Sequence, residues 1–218
     1  MPSITTPIGV LLMAYGGPDS LDDVEPYLLD IRAGRPTSPE LVAEIKERYA
    51  LIGGRSPLLD ITRQQAEALE QALNCGGEAR FRVYIGMRHW QPRIKETVAH
   101  MAEDGIRHAV ALVMAPHYSR MSIGAYFKRL DEAIQDLGLT ITFNRVESWH
   151  NHPGLIAALA EKASDALAHF DADGGGAPPR MIFSAHSLPA RIREWGDPYA
   201  AQLHETAALV AERLNLPG

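Results

Sequence analysis

Apolar runs of strand length alternate with amphipathic stretches of helix length along this 218-residue chain. That alternation predicts an α/β fold built on a mostly parallel sheet flanked by helices. Two further observations agree. The runs Ile8–Ala14 and Ala109–Ala115 are continuously apolar, as strands covered on both faces are. Glycine and proline clusters such as Gly16-Gly17-Pro18 and Gly76-Gly77 fall between the periodic segments and punctuate them.

Ile8–Ala14 reads as a first buried strand, stopped by the Gly16-Gly17-Pro18 turn. From Asp19 to Asn74 the periodicity is helical. Ser56-Pro57 looks like an N-cap followed by proline at the first helical position, where a missing N–H costs nothing. Ala66, Leu69 and Leu73 then share a face, and Gly76-Gly77 ends that helix. Phe81, Val83 and Ile85 alternate as a second strand. Pro92 is read as opening a helix whose Ile94, Val98 and Met101 share a face, closed by Gly105. Ala109–Ala115 is the third strand, and Ile123, Phe127, Leu130, Ile134 and Leu137 form a helical stripe. Thr140–Val146 is a fourth strand with Ile141 and Phe143 on one side, and Leu155, Leu159 and Leu167 mark the next helix. The stretch Asp171–Pro179 is a glycine- and proline-rich surface loop. Met181–Pro189 reads as a short buried strand, and Tyr199, Leu203, Ala207 and Val210 as a last helix.

This order divides the chain unequally. Residues 1–148 supply strands and helices for a complete first lobe, whereas 149–218 supply one strand between two helices, the beginning of a second. A lone parallel strand leaves its ladder groups unpaired. Either it joins the first sheet or its partners belong to sequence not present here.

With 46% hydrophobic residues the chain can bury a substantial core. A net charge of -6 argues against a nucleic-acid partner, which usually needs a basic face. Cys75 is alone, so no intrachain disulfide forms and a reducing compartment is the simplest expectation. The apolar opening is too short for a membrane span, and a cytoplasmic location is expected.

Three strands run into polar, chemically capable groups: Tyr15-Gly16-Gly17, Pro116-His117-Tyr118-Ser119, and His186-Ser187. In a parallel sheet such groups gather beyond the carboxyl ends of the strands, where ligands bind. A histidine there serves as proton acceptor or metal ligand, or merely bonds a loop backbone. Arg32, Arg35, Arg48 and Arg55 with Ser56 suit carboxylates or phosphates, since the guanidinium fork binds such groups bidentately; a solvated helix surface is the alternative. No G-x-G-x-x-G follows the first strand, and neither G-x-x-x-x-G-K-[ST] nor G-x-S-x-G occurs. His89, His150 and His152 are read as surface residues.

Taken together, the motifs resemble ferrochelatases, which insert ferrous iron into a porphyrin. The resemblance rests on LLMAYGGP (Leu11 to Pro18), Arg32-x-Gly34-Arg35, ERYALIGGRSPL (Glu47 to Leu58) and YIGMRHWQP (Tyr84 to Pro92). APHYS (Ala115 to Ser119), VESW (Val146 to Trp149), SAHSLP (Ser184 to Pro189) and GDPY (Gly196 to Tyr199) complete it, in family order. It implies a Rossmann-like, chelatase-like fold of two lobes with the porphyrin between them, the second lobe incomplete here. It assigns His186 to the family's active-site histidine, which meets the iron and takes pyrrole protons. Tyr15 matches a tyrosine that faces the metal in enzymes using coproporphyrin, which favours coproporphyrin III over protoporphyrin IX. Arg32, Arg48, Tyr49, Ser56 and Tyr126 match positions that contact the macrocycle or its propionates. No tightly bound cofactor is implied; porphyrin and ferrous iron are substrates.

Family members are about half as long again, so the chain corresponds to their N-terminal two-thirds and lacks the acidic residue expected opposite the histidine. Four readings follow. The chain is a haem-biosynthetic ferrochelatase; a porphyrin- or haem-binding protein without catalysis; a small homodimeric tetrapyrrole chelatase, self-associating through its incomplete second lobe; or an α/β domain of unrelated function.

Overall fold

A computed structural model describes residues 6–77, 80–172 and 180–216. These fall into two compact units, one from Met1–Met114 with Tyr126–Val146, the other from Ala115–Ala125 with Glu147–Gly218.

The first unit is an α/β layer. Its sheet is 4-stranded and parallel throughout, with strands β1 (Ile8–Ala14), β2 (Phe81–Met87), β3 (His108–Val113) and β4 (Thr142–Val146) in the order β2-β1-β3-β4. β1 lies inside the sheet, which explains its unbroken apolar run: Val10 through Ala14 are all buried. Helices α4 (Ile94–Glu103) and α5 (Ile123–Leu137) supply further core through Ile94, Val98 and Met101, and Phe127, Leu130 and Ala133. Gly9 lets α4 come close. A Cβ at Gly9 would lie 2.6 Å from Met101 Cε and 2.9 Å from Ile106 Cγ2. Burying a side chain such as Met101 contributes about 1.5–3 kcal/mol.

Helix α3 (Leu58–Leu73) departs from the expected face. Thr62, Ala66, Glu70 and Asn74 lie four residues apart; Thr62 and Ala66 are buried, while Leu73 is exposed. The physical reason is the edge of β2. Glu70 Oε2 accepts a hydrogen bond from Val83 N at 2.6 Å. Asn74 Oδ1 accepts from the amides of Arg80 and Phe81 at 2.9 and 3.0 Å, and its Nδ2 donates to Phe81 O at 2.9 Å. An edge strand carries unpaired backbone groups, and here polar side chains of a helix satisfy them. The helix begins at Leu58, with Pro57 in the capping position and Ser56 Oγ accepting from Leu58 N at 3.3 Å, one residue later than expected. Likewise α4 begins at Ile94, with Arg93 rather than Pro92 ahead of it.

In the second unit, α6 (Pro153–Ala172) packs on α7 (Tyr199–Arg213) through Ile156, Ala160 and Val210, with Leu209 and Leu214 beside them. The expected stripe of Leu155, Leu159 and Leu167 is rotated: Leu159 is exposed, and the neighbouring Ile156 takes the inward position. The expected strand at Met181–Pro189 does not form. These residues are irregular and lead into a short 3-10 helix, Ala190–Ile192, and Ile182 is 86% exposed. A strand exists only through its ladder, and no strand among the described residues offers one here. Most of the Asp171–Pro179 loop lies outside the described residues. Among the described residues no helix is long and apolar enough to cross a membrane.

Candidate active site

The chemistry of the first unit collects where β1 and β2 end. Their register sets Ala14 opposite Met87, so the residues that follow emerge side by side. Arg88 N donates to Ala14 O and His89 N to Tyr15 O, both at 2.9 Å, which carries the ladder beyond the strands. Tyr15 is therefore held against the His89 ring, with centroids 4.6 Å apart. The Arg88 guanidinium lies 6.0 Å from the Tyr15 ring centre and 5.3 Å from that of Tyr126 on α5. Two glycines permit this turn. Gly16 has φ +93°, and a Cβ there would sit 2.8 Å from Trp90 N. At Gly17 a Cβ would lie 2.4 Å from Ser56 Oγ, so Ser56 packs directly on the strand exit.

Behind Tyr15 runs a half-buried polar chain. Asp30 of α1 (Val24–Ile31) sits 2.7 Å from Nδ1 of His89 through Oδ2 and accepts from Arg93 at 2.9 Å through Oδ1. Burial holds the His89 imidazole below its ordinary range, with Asp30 pulling the other way. Burial alone would raise Asp30, but the hydrogen bonds from His89 and Arg93 outweigh it and keep its carboxyl below the usual range. His89 was expected at the surface and is instead 5% exposed. Tyr27 donates to Gly16 O at 2.9 Å. Burial raises the pKa of Tyr15, Tyr27, Tyr49 and Tyr126, and Arg88 partly opposes it at Tyr15 and Tyr126. All four phenols therefore stay protonated donors at neutral pH.

The other expected residues of this unit are more open. Arg32 caps the C-terminus of α1 and is exposed. Arg48, on α2 (Pro39–Ala50), is exposed and paired with Glu44. Tyr49 follows it, half-buried. Arg55 pairs with Asp60 at 2.6 Å, again exposed. Such surface pairs are readily exchanged for a ligand carboxylate, since each contributes at most about 1 kcal/mol. Asp30, Arg88 and the burial of His89 were missed from sequence; their signal was the position of Arg88-His89 directly after a strand.

The second unit has its own polar cluster. His117 Nε2 lies 2.9 Å from Thr206 Oγ1 on α7, and His150 Nε2 lies 2.9 Å from Glu205 Oε2. Ser148 Oγ donates to Pro116 O at 2.8 Å and lies 2.6 Å from His150 Nδ1. His150 was expected at the surface but is buried, whereas His152 is exposed. Burial, then neighbouring His150, lowers the His117 pKa. Asp197 accepts from Ser119 Oγ at 2.9 Å and from Arg120 N at 2.8 Å. His186 is exposed, and its carbonyl accepts from Tyr199 OH at 3.1 Å. No group of three or more His, Cys, Asp or Glu placed to hold a metal occurs among the described residues.

Comparison with known proteins adds a second line of evidence. The ferrochelatase family model matches residues 7–218. Over 210 residues the chain is 47% identical to a ferrochelatase of Deinococcus radiodurans, covering 96% of this chain and 66% of the relative. It is 46% identical over 207 residues to the coproporphyrin III ferrochelatase of Bacillus subtilis, covering 94% and 66%. A Thermus thermophilus ferrochelatase is 44% identical over 226 residues, covering 96% and 70%. The chain thus spans just under two thirds of the length of the first two. Family motifs and the parallel α/β architecture point the same way: the chain belongs to the ferrochelatase family.

Proposed function

We propose that this chain serves haem biosynthesis by inserting ferrous iron into a porphyrin, with coproporphyrin III favoured over protoporphyrin IX. The observation that carries this reading is the family match over residues 7–218, which includes both Tyr15 and His186. Several of the relatives it resembles are named coproporphyrin III ferrochelatases. Metallation removes two pyrrole protons, and the exposed His186 imidazole is the group proposed to meet the iron and to accept them one at a time, passing each to solvent water before the next. Tyr15 is proposed to face the metal. Its phenol stays protonated, so it approaches iron as a neutral oxygen. Arg32, Arg48, Tyr49, Ser56 and Tyr126 are proposed to hold the macrocycle and its propionates, guanidinium against carboxylate. Iron and porphyrin are substrates in this reading, with no resident cofactor. A cytoplasmic location and self-association through the second unit belong to the same proposal.

A second reading, porphyrin binding without insertion, is favoured by one observation. No carboxylate pairs with His186 among the described residues. Anaerobic iron insertion into coproporphyrin III and protoporphyrin IX, followed by absorbance with the 218-residue chain, separates the two. Turnover that disappears in His186→Ala supports the first; turnover unchanged in that variant sinks it. Tight binding with no turnover selects the second.

A further inference from the structure

Among the described residues, the one hydrogen bond of His186 is made by its carbonyl, which accepts from the Tyr199 hydroxyl at 3.1 Å. No ladder fixes the irregular stretch on which it lies. The backbone under the imidazole is thus anchored through Tyr199, and what holds Tyr199 holds His186. Two groups of the same unit do so. The Tyr199 ring stands edge-on to that of His117, with centroids 6.3 Å apart and planes at 85°. Its amide donates to Oδ1 of Asp197 at 3.1 Å.

Asp197 is the junction of this support. Its own amide donates to Ile192 O at 3.1 Å, closing the turn at Gly196, where φ is +62°. Its Oδ2 accepts from the Ser119 hydroxyl at 2.9 Å and from the Arg120 amide at 2.8 Å. The far end is firmly seated: Ser119 is 0% exposed, and its carbonyl accepts from the amides of Ser122 and Gly124, both at 3.0 Å. Every group aimed at the Asp197 side chain is therefore a donor. A carboxylate accepts through both oxygens and meets all three. An asparagine has nearly the same shape but a single acceptor oxygen. Its NH2 would have to face either the Tyr199 amide or the Ser119–Arg120 pair. Hydrogen-bond chemistry, not volume, calls for an acid here.

We propose that Asp197 is a positioning residue for metal insertion: through Tyr199 it fixes the peptide of His186, and so where the imidazole meets porphyrin and iron. Asp197 touches neither substrate. Small displacements of a reacting group are expensive in rate, so the loss of this support falls on kcat. The groups proposed to hold the macrocycle lie in the first unit, so KM for porphyrin is spared. The inference rests on the proposed role of His186.

The test compares wild type, Asp197→Asn, Tyr199→Phe and the double variant of the 218-residue chain, with circular dichroism checking that each is folded. Histidine ring resonances are recorded by carbon–proton NMR, that of His186 being identified by its loss in His186→Ala. The His186 resonance should move in both single variants while that of His169, on α6, stays. In iron insertion into coproporphyrin III, each single variant should lose about tenfold or more in kcat, the usual worth of a charged hydrogen bond, with KM within about twofold. The double variant should be no slower than the slower single, because both act through one link. Ser119→Ala removes one of the two donors to Oδ2, should give the same changes at smaller size, and stands in if Asp197→Asn is unfolded. An unmoved His186 resonance overturns the proposal, and so does a loss carried by KM or one that adds to that of Tyr199→Phe. Wild type without turnover overturns the functional reading instead, and the His186 resonance then decides this one alone.

Discussion

The carboxylate of Asp30 and the imidazole of His89 meet at 2.7 Å across 59 positions of sequence, with His89 5% exposed. Because Asp30 takes Nδ1–H, the neutral ring keeps its lone pair on Nε2. The pair ties α1 to the end of β2 and braces the ring on which Tyr15 rests.

Asp30→Asn tests that brace and its pH dependence. Losing a half-buried, charge-assisted hydrogen bond should cost about 2 kcal/mol at pH 7. His89 has a depressed pKa, so below the unfolded value of about 6.5 the unfolded chain binds a proton that the folded chain refuses. Stability is therefore lost as pH falls from there towards the folded value. Without Asp30 the His89 pKa drops further, and the loss between pH 7 and pH 5 should be larger in the variant. Urea unfolding at both pH values gives the comparison; equal losses would contradict it.

Gly9→Ala should destabilise by overpacking, about 1–3 kcal/mol, because the new methyl meets Met101 and Ile106. The end of Met101 is the nearest atom, so Met101→Ala in the same chain should relieve part of the strain. A double-mutant cycle in urea would then show favourable coupling. Strict additivity would mean that Ile106, not Met101, sets the limit.

Asn74→Ala removes the acceptor of two amides and the donor to Phe81 O. The expected cost is about 1–3 kcal/mol, with faster hydrogen exchange at Arg80 and Phe81 than at Leu12. Uniform acceleration along the sheet would instead indicate global destabilisation.

Tyr199→Phe should leave α7 intact while freeing the His186 carbonyl. The Ser187 amide, which shares that peptide unit, is the reporter. Its nitrogen and proton shifts should move, with helical circular dichroism unchanged.

Much of the fold was legible because hydrophobic period and burial coincide. β1 is apolar throughout and is covered throughout; Ile94, Val98 and Met101 are spaced for one face and occupy it. Reading failed where polar residues do structural work. In α3 the inward line runs Thr62, Ala66, Glu70 and Asn74, because it answers the backbone of an edge strand rather than an apolar surface. His89 and His150 look like surface residues until carboxylates from distant segments, Asp30 and Glu205, are brought to them. Met181–Pro189 failed in the opposite sense. Its apolar run fits a strand, but periodicity carries no information on whether a neighbour is present. At the site, Tyr15 was visible as a polar residue ending a buried strand. Arg88 gains its meaning only when α5 delivers Tyr126 to its other side.

The hydrogen bonds from α3 to β2 give the sheet a direction of growth. One margin is sealed, because Glu70 and Asn74 already occupy groups that an incoming backbone would need. β4 pairs only with β3 among the described residues and has no such seal. A further strand, whether from this polypeptide or another, is therefore accepted beside β4 and turned away at β2.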